Sequence, residues 1–218
     1  TRVPKEGTTK TRLYDFMSPT EAVNIQKKLL KKNYDLLAET NRELLVCHDG
    51  NSSDDKEMAE IISCDKFYYQ KGDNLGDKMY NALEEVISDS KVILLGSDIF
   101  NLDKDIIEEA FEKLETHDVV INPSEDGGYF LIGMKKAIKE VFDLPSYGDS
   151  SVLENLIKVL EKNNLNYYLG RAALDIDIKE DLLYAETGYK NIKLLGAGEY
   201  NINFTFDEDN MKKVLRLN

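Results

Sequence analysis

The feature that most constrains the fold is a regular alternation of short apolar segments with longer amphipathic ones. The short segments end at turn residues, which is typical of strands, and they span residues 43–48, 67–70, 91–95, 118–121, 129–134 and 167–169. Apolar residues at helical spacing occupy residues 18–40, 53–62, 75–87, 103–115, 150–162 and 179–184. Strands that alternate with helices predict a doubly wound α/β sheet.

The segment Lys91-Val92-Ile93-Leu94-Leu95 indicates how that sheet is built. Four successive residues are apolar, as expected of a strand covered by helices on both faces. Parallel sheets are usually covered in this way, so we expect a mostly parallel sheet. Ligands of such sheets bind beyond the carboxyl ends of the strands, and the loops there are the first place to look for a site.

Length and charge restrict the class of protein. With 218 residues, the chain has room for one large domain, predicted over residues 1–186, and a C-terminal part over residues 187–218. The net charge of −13 argues against nucleic-acid binding. No apolar run is long enough to cross a membrane, and no secretory signal is present, so we expect a cytoplasmic protein. Cys47 and Cys64 lack metal or disulfide spacing, which predicts buried free thiols.

The N-terminal segment concentrates positive charge in an otherwise acidic chain. Its basic and glycine residues are Arg2, Lys5, Gly7, Lys10 and Arg12. Backbone N–H groups and basic side chains bind phosphate, so a phosphate loop is one interpretation and a charged, disordered terminus is the other. The segment resembles a loop that follows a strand, yet no strand precedes it. We therefore expect the first strand to be missing or to lie upstream.

Asp98 lies three residues beyond the strand that ends at Leu95. Its carboxylate would stand at the carboxyl end of a central strand, where a metal could bind. Mg²⁺ (or Mn²⁺) needs only one or two carboxylates when substrate phosphates supply further oxygens. An aspartate at this position could equally cap the next helix, and the residues alone leave both interpretations open.

Two further acidic segments are candidates for the site. Glu125-Asp126-Gly127-Gly128 joins two apolar strands, and a hairpin turn explains Asp126-Gly127. The second glycine is better explained by close approach of a ligand, which makes this loop a candidate for the acceptor or base side. Asp175-Ile176-Asp177 precedes a helix that Asp177 could cap. We expect the two aspartates to face opposite ways in an extended segment, so that only one of them could complete a metal site. His48 and His117 are interpreted as structural or solvent-facing.

Five motifs, taken in order, resemble the bacterial DUF2064 family. They are KTRL at 10–13, GDNLGDKM at 72–79, LLGSD at 94–98, INPSEDGGYFLIGM at 121–134 and DIDIKEDL at 175–182. The family is often described as glycosyltransferase-like and shares the nucleotide-diphospho-sugar transferase (GT-A) fold with the phospholactate guanylyltransferases. The resemblance, over residues 1–185, implies a Rossmann-like three-layer α/β/α sandwich that binds a nucleoside triphosphate or nucleotide sugar with Mg²⁺.

The resemblance also implies roles for individual residues. Lys10 and Arg12 would hold the phosphates, with Arg2 and Gly7 in the same loop, and Leu75 and Gly76 would lie beside the nucleotide. Asp98 would ligate the metal with Asp177 as second acidic ligand, and Asp126 would face the reacting groups. Phe100 stands where the family usually has proline, and Tyr147-Gly148-Asp149 stands where it commonly has Trp-Ser/Gly-Thr.

The C-terminal tail has a second resemblance. Residues 194–204 and 214–218 are similar to the opening of aminoglycoside-phosphotransferase and choline-kinase-like domains, which suggests a fused kinase-like domain; a C-terminal β-hairpin is the alternative.

The sequence supports one leading hypothesis for function. It is nucleotidyl transfer, in which a small-molecule acceptor attacks the α-phosphate of a nucleoside triphosphate and releases pyrophosphate. Glycosyl transfer from a nucleotide sugar is the first alternative, and a non-catalytic nucleotide-binding module that regulates an attached kinase domain is the second.

Overall fold

The structure is a computed structural model that describes residues 1–88 and 90–182. Its helices are α1 (Pro19–Ala38), α2 (Asp55–Ile61), α3 (Leu75–Val86), α4 (Lys104–Lys113) and α5 (Val152–Lys162), with short 3-10 helices at Thr11–Leu13 and Lys139–Phe142. Its strands are β1 (Val46–His48), β2 (Phe67–Tyr69), β3 (Val92–Leu95), β4 (Val119–Pro123), β5 (Tyr129–Met134) and β6 (Tyr167–Leu169). Every predicted strand is thereby confirmed, as are the first five predicted helices.

Local sequence explains where the long helix α1 begins. The Ser18 side chain accepts a hydrogen bond from the Glu21 N–H, and the Ser18 N–H donates to the Glu21 carboxylate. Pro19 occupies the first helical position. This capping box satisfies amide groups that a helix start otherwise leaves without partners. The buried face of α1 then carries apolar residues and two amides, Gln26 and Asn33.

The strands form two small sheets, and the expectation of a mostly parallel sheet is wrong. β1 and β2 pair in parallel, whereas the other strands follow the order β3-β5-β4-β6, in which β5 is antiparallel to both of its neighbours and only β4 and β6 are parallel. The connection between β4 and β5 covers only residues 124–128, and a parallel crossover needs a dozen or more residues. The run of apolar residues in β3 therefore indicates that helices cover both faces of the strand. It does not indicate whether the strand is parallel to its neighbour.

Helices cover both faces of the four-stranded sheet, as predicted. One apolar cluster joins Val120 and Leu131 to α4, and the other joins Val119 and Ile121 to α3 and α5. Neighbouring side chains of β4 thus enter opposite clusters, as the period of a strand requires. The resulting layers fix the strand ends in space and leave the loops beyond them to form a site.

The first residue is held beside the end of β1. The Thr1 nitrogen donates to the Cys47 carbonyl over 2.7 Å, and the Asp49 N–H donates to the Thr1 carbonyl over 3.2 Å, which is the bond pattern of a parallel ladder. The Thr1 hydroxyl also contacts the Ser97 hydroxyl beyond β3 at 2.8 Å. The N-terminal segment therefore starts at the carboxyl edge of the strands. The missing first strand stays a prediction.

Some predictions concern features at the margins of the described chain. The predicted C-terminal part at 187–218, with its kinase-like resemblance, lies outside the described residues, and the predicted helix at 179–184 runs past their end. Of the helices within 1–88 and 90–182, none combines the length and apolar character that a membrane crossing requires. Both cysteines are free thiols, half-buried rather than fully buried.

Candidate active site

Loops from distant parts of the chain meet beyond the carboxyl end of β3. Residues 173–176 form short backbone bridges to two of these loops, with Ile99 pairing with Asp175 and Ser124 pairing with Ala173. The bridge at Ile99 includes hydrogen bonds from the Ile176 N–H to the Asp98 carbonyl and from the Phe100 N–H to the Leu174 carbonyl. The Asp98 loop and the turn that contains Asp126 are thereby joined through one segment.

Lys10 brings the N-terminal segment into this group. Its side chain is 3% exposed, and its ammonium lies 3.2 Å from Asp98 Oδ2 while also donating to the Ile176 carbonyl. The Lys10 backbone is left-handed, with φ 47° and ψ 45°. Residues other than glycine adopt this conformation only at a cost in free energy. The tertiary contacts of the ammonium hold this conformation in place.

Asp175 lies in the same electrostatic group as Asp98 and Asp126. Burial, followed by the negative charges of Asp126 and Asp98, raises the pKa of Asp175 to about 7. Burial likewise raises the pKa of Asp181 and, together with the charge of Asp181, that of Glu125. Carboxylates that repel one another in a partly buried space favour the binding of a cation. The local surplus of negative charge therefore remains even with the Lys10 ammonium present.

Arg12 and Asp177 form a second ion pair between the N-terminal segment and residues 175–178. Arg12 NH1 lies 2.7 Å from Asp177 Oδ2, and both side chains are well exposed to solvent. The backbone N–H groups of Asp177 and Ile178 donate to the Asp181 carboxylate, which fixes this stretch of chain. Asp177 thus holds Arg12 in the structure, and its predicted role as a metal ligand stays a prediction.

The turn around Asp126 is ordered by its own residues. The Ser124 hydroxyl and the Gly128 N–H both donate to Asp126 Oδ1. Gly127 has φ 90°, and a Cβ there would lie 2.4 Å from the Ser150 carbonyl, just before α5. A Cβ on Gly128 would meet Asp126 Oδ1 and the Ser124 hydroxyl at 3.1 Å, so contacts inside the turn already explain the second glycine.

Leu75 and Gly76 begin α3. Gly76 is buried, and a Cβ there would lie 2.2 Å from the Phe142 carbonyl, so this glycine permits α3 to pack against the 139–142 helix. Leu75 is 49% exposed and offers an apolar surface. Within the described chain, no hydrogen bond or ion pair links either residue to Asp98 or Lys10, and their place beside a nucleotide stays a prediction.

The rest of the N-terminal segment folds into a turn instead of a disordered terminus. The N–H groups of Thr8 and Thr9 both donate to the Lys5 carbonyl, and Arg2 NH1 donates to the Thr8 carbonyl over 3.2 Å. Gly7 has φ 84°, and its N–H donates to the Tyr14 hydroxyl. The Lys5 ammonium pairs with Asp54.

Backbone donors of this segment remain open to a ligand. Outside the 3-10 helix itself, the N–H groups of Lys10, Thr11 and Arg12 donate to no backbone group of residues 1–88 or 90–182. The left-handed residue 10 is followed by the 3-10 helix, an arrangement in which successive N–H groups converge on an anion. The segment therefore offers donors of the kind that bind phosphate oxygens, next to the Arg12 guanidinium.

The carboxylates fit one kind of metal site and not another. Groups of three or more acidic, histidine or cysteine side chains placed to enclose a metal are absent from the described part of the chain. Mg²⁺ does not need such a group, because it binds one or two carboxylates and takes its other oxygens from phosphates and water. Asp98, whose side chain is 35% exposed, and Asp175 meet that requirement.

The family resemblance favoured Asp177 over Asp175 as second acidic ligand, although the residues themselves mark the two alike. Residues two apart in an extended segment share a face, and do not face opposite ways as expected. The only distinguishing signal is the contact that each makes across the fold, with Asp98 and Asp126 near Asp175 and Arg12 on Asp177.

The two histidines have contacts that agree with structural roles. His48 is buried, its Nε2 lies 3.1 Å from Asp55, and its Nδ1 accepts a bond from the Gly50 N–H. His117 lies beyond the end of α4, and its Nδ1 is 3.0 Å from the Lys113 carbonyl.

A cleft of about 610 Å³ lies elsewhere, near the amino end of β3, and its lining includes Arg42, Lys91, Glu108, Phe111 and Glu115. Its charged groups are engaged with one another, as in the ion pairs of Arg42 with Glu108 and of Lys91 with Glu115. The charged residues beyond the carboxyl end of β3 are therefore a better candidate for the active site than this cleft.

Comparison with known sequences finds one family and a set of relatives. A family model described as "Uncharacterized protein conserved in bacteria (DUF2064)" matches residues 32–149. The chain is 29% identical to a 2-phospho-L-lactate guanylyltransferase of Methanocaldococcus sp. (strain FS406-22), over 87% of this chain and 82% of the relative. It is 31% identical to the enzyme of the same name from Methanocaldococcus jannaschii, over 79% of this chain and 75% of the relative.

Comparison with solved structures identifies the fold. A protein of Desulfovibrio desulfuricans G20, provisionally assigned as a nucleotide-diphospho-sugar transferase, superposes with a TM-score of 0.81 at 26% identity, over 88% of this chain and 85% of that one. The 4-diphosphocytidyl-2C-methyl-D-erythritol synthase of Anaerococcus prevotii superposes with a TM-score of 0.51 at 10% identity, over 78% and 90%. At 12% identity, a CMP:2-keto-3-deoxy-manno-octonic acid synthetase with CTP bound gives 0.50, over 76% and 89%. The last two likenesses concern the fold alone.

Proposed function

The chain belongs to the DUF2064 family, and we propose that it is a nucleotidyltransferase that acts on a nucleoside triphosphate. The similarity to two guanylyltransferases over most of the chain supports this reaction class. The fold shared with nucleotidyltransferases agrees with it. The finer proposal is a Mg²⁺-dependent transfer of a nucleotidyl group to a small acceptor.

The grouping of four charged residues supports the proposal and indicates which residues would take part. Lys10, Asp98, Asp126 and Asp175 come from four distant segments and meet at the carboxyl edge of the strands. Grouped charges of both signs at that edge suit a ligand that brings its own negative charge and a cation. A triphosphate with a divalent metal has both properties.

The phosphates of the nucleotide would be held by the N-terminal segment. The Arg12 guanidinium can pair with phosphate oxygens through parallel hydrogen bonds, and the N–H groups of residues 10–12 add donors beside it. Asp177 keeps Arg12 in this region before a ligand binds. These groups would stabilise the charge that develops on the leaving pyrophosphate.

Asp98 and Asp175 would hold the metal. Bound Mg²⁺ would supply charge neutralisation at the phosphates and polarise the reacting P–O bonds. Asp98 has one oxygen paired with Lys10, which leaves the other available. Burial and the negative charges of Asp126 and Asp98 raise the pKa of Asp175 to about 7, so a cation beside its carboxylate would be stabilising. Lys10 would then orient Asp98 and add a positive charge behind it.

The acceptor would approach from the Asp126 side. An acceptor oxygen forms a bond to the α-phosphorus while the bond from that phosphorus to the bridging oxygen breaks, and pyrophosphate leaves. Asp126 has one carboxylate oxygen engaged by Ser124 and Gly128. Its second oxygen is free to orient the acceptor or to accept its proton.

Glycosyl transfer from a nucleotide sugar is the second candidate. The specific support is the likeness to the Desulfovibrio desulfuricans protein, which is assigned to that class. The same phosphate and metal groups serve both reactions, and the products differ. Nucleotidyl transfer releases pyrophosphate, whereas glycosyl transfer releases a nucleoside diphosphate or monophosphate.

A binding and product assay tests the proposal. The protein is titrated with a panel of nucleoside triphosphates and nucleotide sugars, with and without Mg²⁺, and pyrophosphate and nucleoside diphosphate are quantified. We expect metal-dependent triphosphate binding that Asp98→Asn abolishes while thermal unfolding stays cooperative. Asp65→Asn, an exposed aspartate between α2 and β2, is the matched control and should bind like the unaltered protein. Absence of nucleotide binding under every metal condition would overturn both candidates.

A further inference from the structure

We propose that Asn33 on α1 is a positioning residue that fixes the Asp98 loop for metal binding. The expected effect on metal binding rests on the proposed function. The expected effect on the position of the loop rests on the hydrogen bonds of Asn33 alone. Asp98 itself lies outside any regular strand, since β3 ends at Leu95. Its placement therefore depends on contacts made by the loop rather than on a continuous ladder.

The Asn33 amide holds the peptide groups on either side of Asp98. Asn33 Nδ2 donates to the Ser97 carbonyl over 3.2 Å and to the Ile99 carbonyl over 3.0 Å. From the opposite side, the Ile176 N–H donates to the Asp98 carbonyl over 3.3 Å. The three successive carbonyls around the metal-binding aspartate are thus all held, and the residue that holds two of them is 64 positions away from the nearer one.

Only a side chain can perform this role from α1. The backbone N–H groups inside a helix are already bonded within the helix, so they have no donor to offer a neighbouring loop. Two other α1 side chains add weaker support, since Gln26 Nε2 lies 3.3 Å from the Ser97 hydroxyl and the Lys32 ammonium donates to the Phe100 carbonyl. Asn33 alone makes two contacts that flank Asp98.

The Oδ1 atom of Asn33 indicates that packing alone does not explain why an asparagine occupies this position. Asn33 is 2% exposed, and its Oδ1 has no hydrogen-bond partner among the described residues. Rotating the amide would place Oδ1 against two carbonyl oxygens, so the present orientation follows from the network. An apolar residue at this position on the buried face would avoid an unpartnered oxygen. The amide is explained by the two carbonyls that it holds.

The chain offers a matched control for Asn33. Asn122 is also 2% exposed, also leaves Oδ1 without a partner, and donates through Nδ2 to a single carbonyl, that of Arg171. Asn33→Leu and Asn122→Leu therefore remove comparable buried amides. Only the first removes the contacts beside Asp98.

The first measurement is amide hydrogen exchange of the ligand-free protein. In Asn33→Leu, exchange of the Phe100 amide, which donates to the Leu174 carbonyl, should be at least about 10-fold faster than in Asn122→Leu once exchange through global unfolding is subtracted. Equal exchange in the two variants would overturn the proposal. This readout needs neither metal nor nucleotide.

The second measurement is Mn²⁺ binding in the presence of a nucleoside triphosphate, followed by electron paramagnetic resonance. We expect Asn33→Leu to weaken Mn²⁺ binding at least about 10-fold and Asn122→Leu to leave it unchanged. Equal Mn²⁺ affinities in the two variants would overturn the proposed effect on the metal. If the unaltered protein binds no Mn²⁺ with nucleotide, the proposed function fails, while hydrogen exchange still decides whether Asn33 holds the loop.

A milder substitution keeps the test open if Asn33→Leu does not fold. Gln26→Leu removes only the 3.3 Å contact to the Ser97 hydroxyl. It should shift exchange and Mn²⁺ affinity in the same direction by a smaller factor, about 2- to 3-fold. A shift in the opposite direction, or none, would count against control of this loop by α1.

Discussion

Replacing Asp175 by asparagine should stabilise the free protein and impair its metal binding. Asparagine has the same shape but carries no charge, so the substitution removes a carboxylate that burial and the charges of Asp126 and Asp98 disfavour. The difference between the ordinary pKa of 3.8 and about 7, at about 1.36 kcal/mol per unit, sets a ceiling of about 4 kcal/mol. The side chain is partly exposed and screened by salt, so we expect a gain of about 1–2 kcal/mol at pH 8.

The sign of the pH dependence follows from the raised pKa. A carboxyl group whose pKa is higher in the folded than in the unfolded state binds its proton more tightly when folded, which favours folding at low pH. That contribution is fully present below pH 3.8 and is lost as pH rises through about 7. The advantage of Asp175→Asn over the unaltered protein should therefore be largest above pH 7 and nearly absent at pH 4.

Urea unfolding at pH 4, 6 and 8 measures this difference directly, because all other titrating groups are common to both proteins. Asp65→Asn is the control, and its effect should stay within about 0.5 kcal/mol at each pH. The same Asp175→Asn protein should need a much higher Mg²⁺ concentration for triphosphate binding. A gain that is absent at pH 8, or that is the same at every pH, would refute the repulsion argument.

Three further predictions concern contacts of the site and its supports. Lys10→Met should lower the free energy of unfolding by about 1–3 kcal/mol in urea titrations, because it leaves the Asp98 carboxylate and the Ile176 carbonyl without their buried donor. Gly76→Ala should cost about 2–3 kcal/mol through its clash with the Phe142 carbonyl, whereas Gly7→Ala, whose Cβ meets nothing within 4 Å, should cost only the about 1–2 kcal/mol of a left-handed backbone. Asp149→Ala should destabilise the protein above pH 4 and lose that effect as pH falls to 2, since hydrogen bonds from Ser146 and Ser151 lower the pKa of Asp149 to about 2. Equal losses for the two glycine variants, or a pH-independent effect of Asp149→Ala, would contradict these contacts.

Secondary structure was readable from the sequence because its causes are local. The capping box at Ser18, the Asn74 cap of α3 and the Asp103 cap of α4 each mark a helix start with a side-chain hydrogen bond made within three residues. The short 3-10 helices at Thr11–Leu13 and Lys139–Phe142 were not predicted, since segments of 3 and 4 residues are too short to show helical periodicity. Apolar runs likewise marked each strand, but carried no information about which strands pair.

Strand direction and the choice between aspartates depended on distant contacts. The short turn between β4 and β5 reverses the chain, so β5 pairs with β4 in the antiparallel direction and lies between β4 and β3. The covering helices give β3 the same apolar pattern that a parallel strand would have. Asp175 and Asp177 look alike in the chain and differ only in what lies opposite them. The role of Asn33 has no local signal either, since its two acceptors lie beyond β3.

The sequence by itself determined the helices, the strands and the set of charged residues from which a phosphate and metal site could be built. Those properties follow from short-range preferences: helix capping, side-chain periodicity and the chemistry of single residues. The tertiary structure decided which charges share a space. It pairs Lys10 with Asp98 and Arg12 with Asp177, and it brings Asp175 close enough to Asp98 and Asp126 for their charges to raise its pKa. Electrostatic interaction depends on distance and burial, and both are set only when remote segments meet at the edge of the folded sheet.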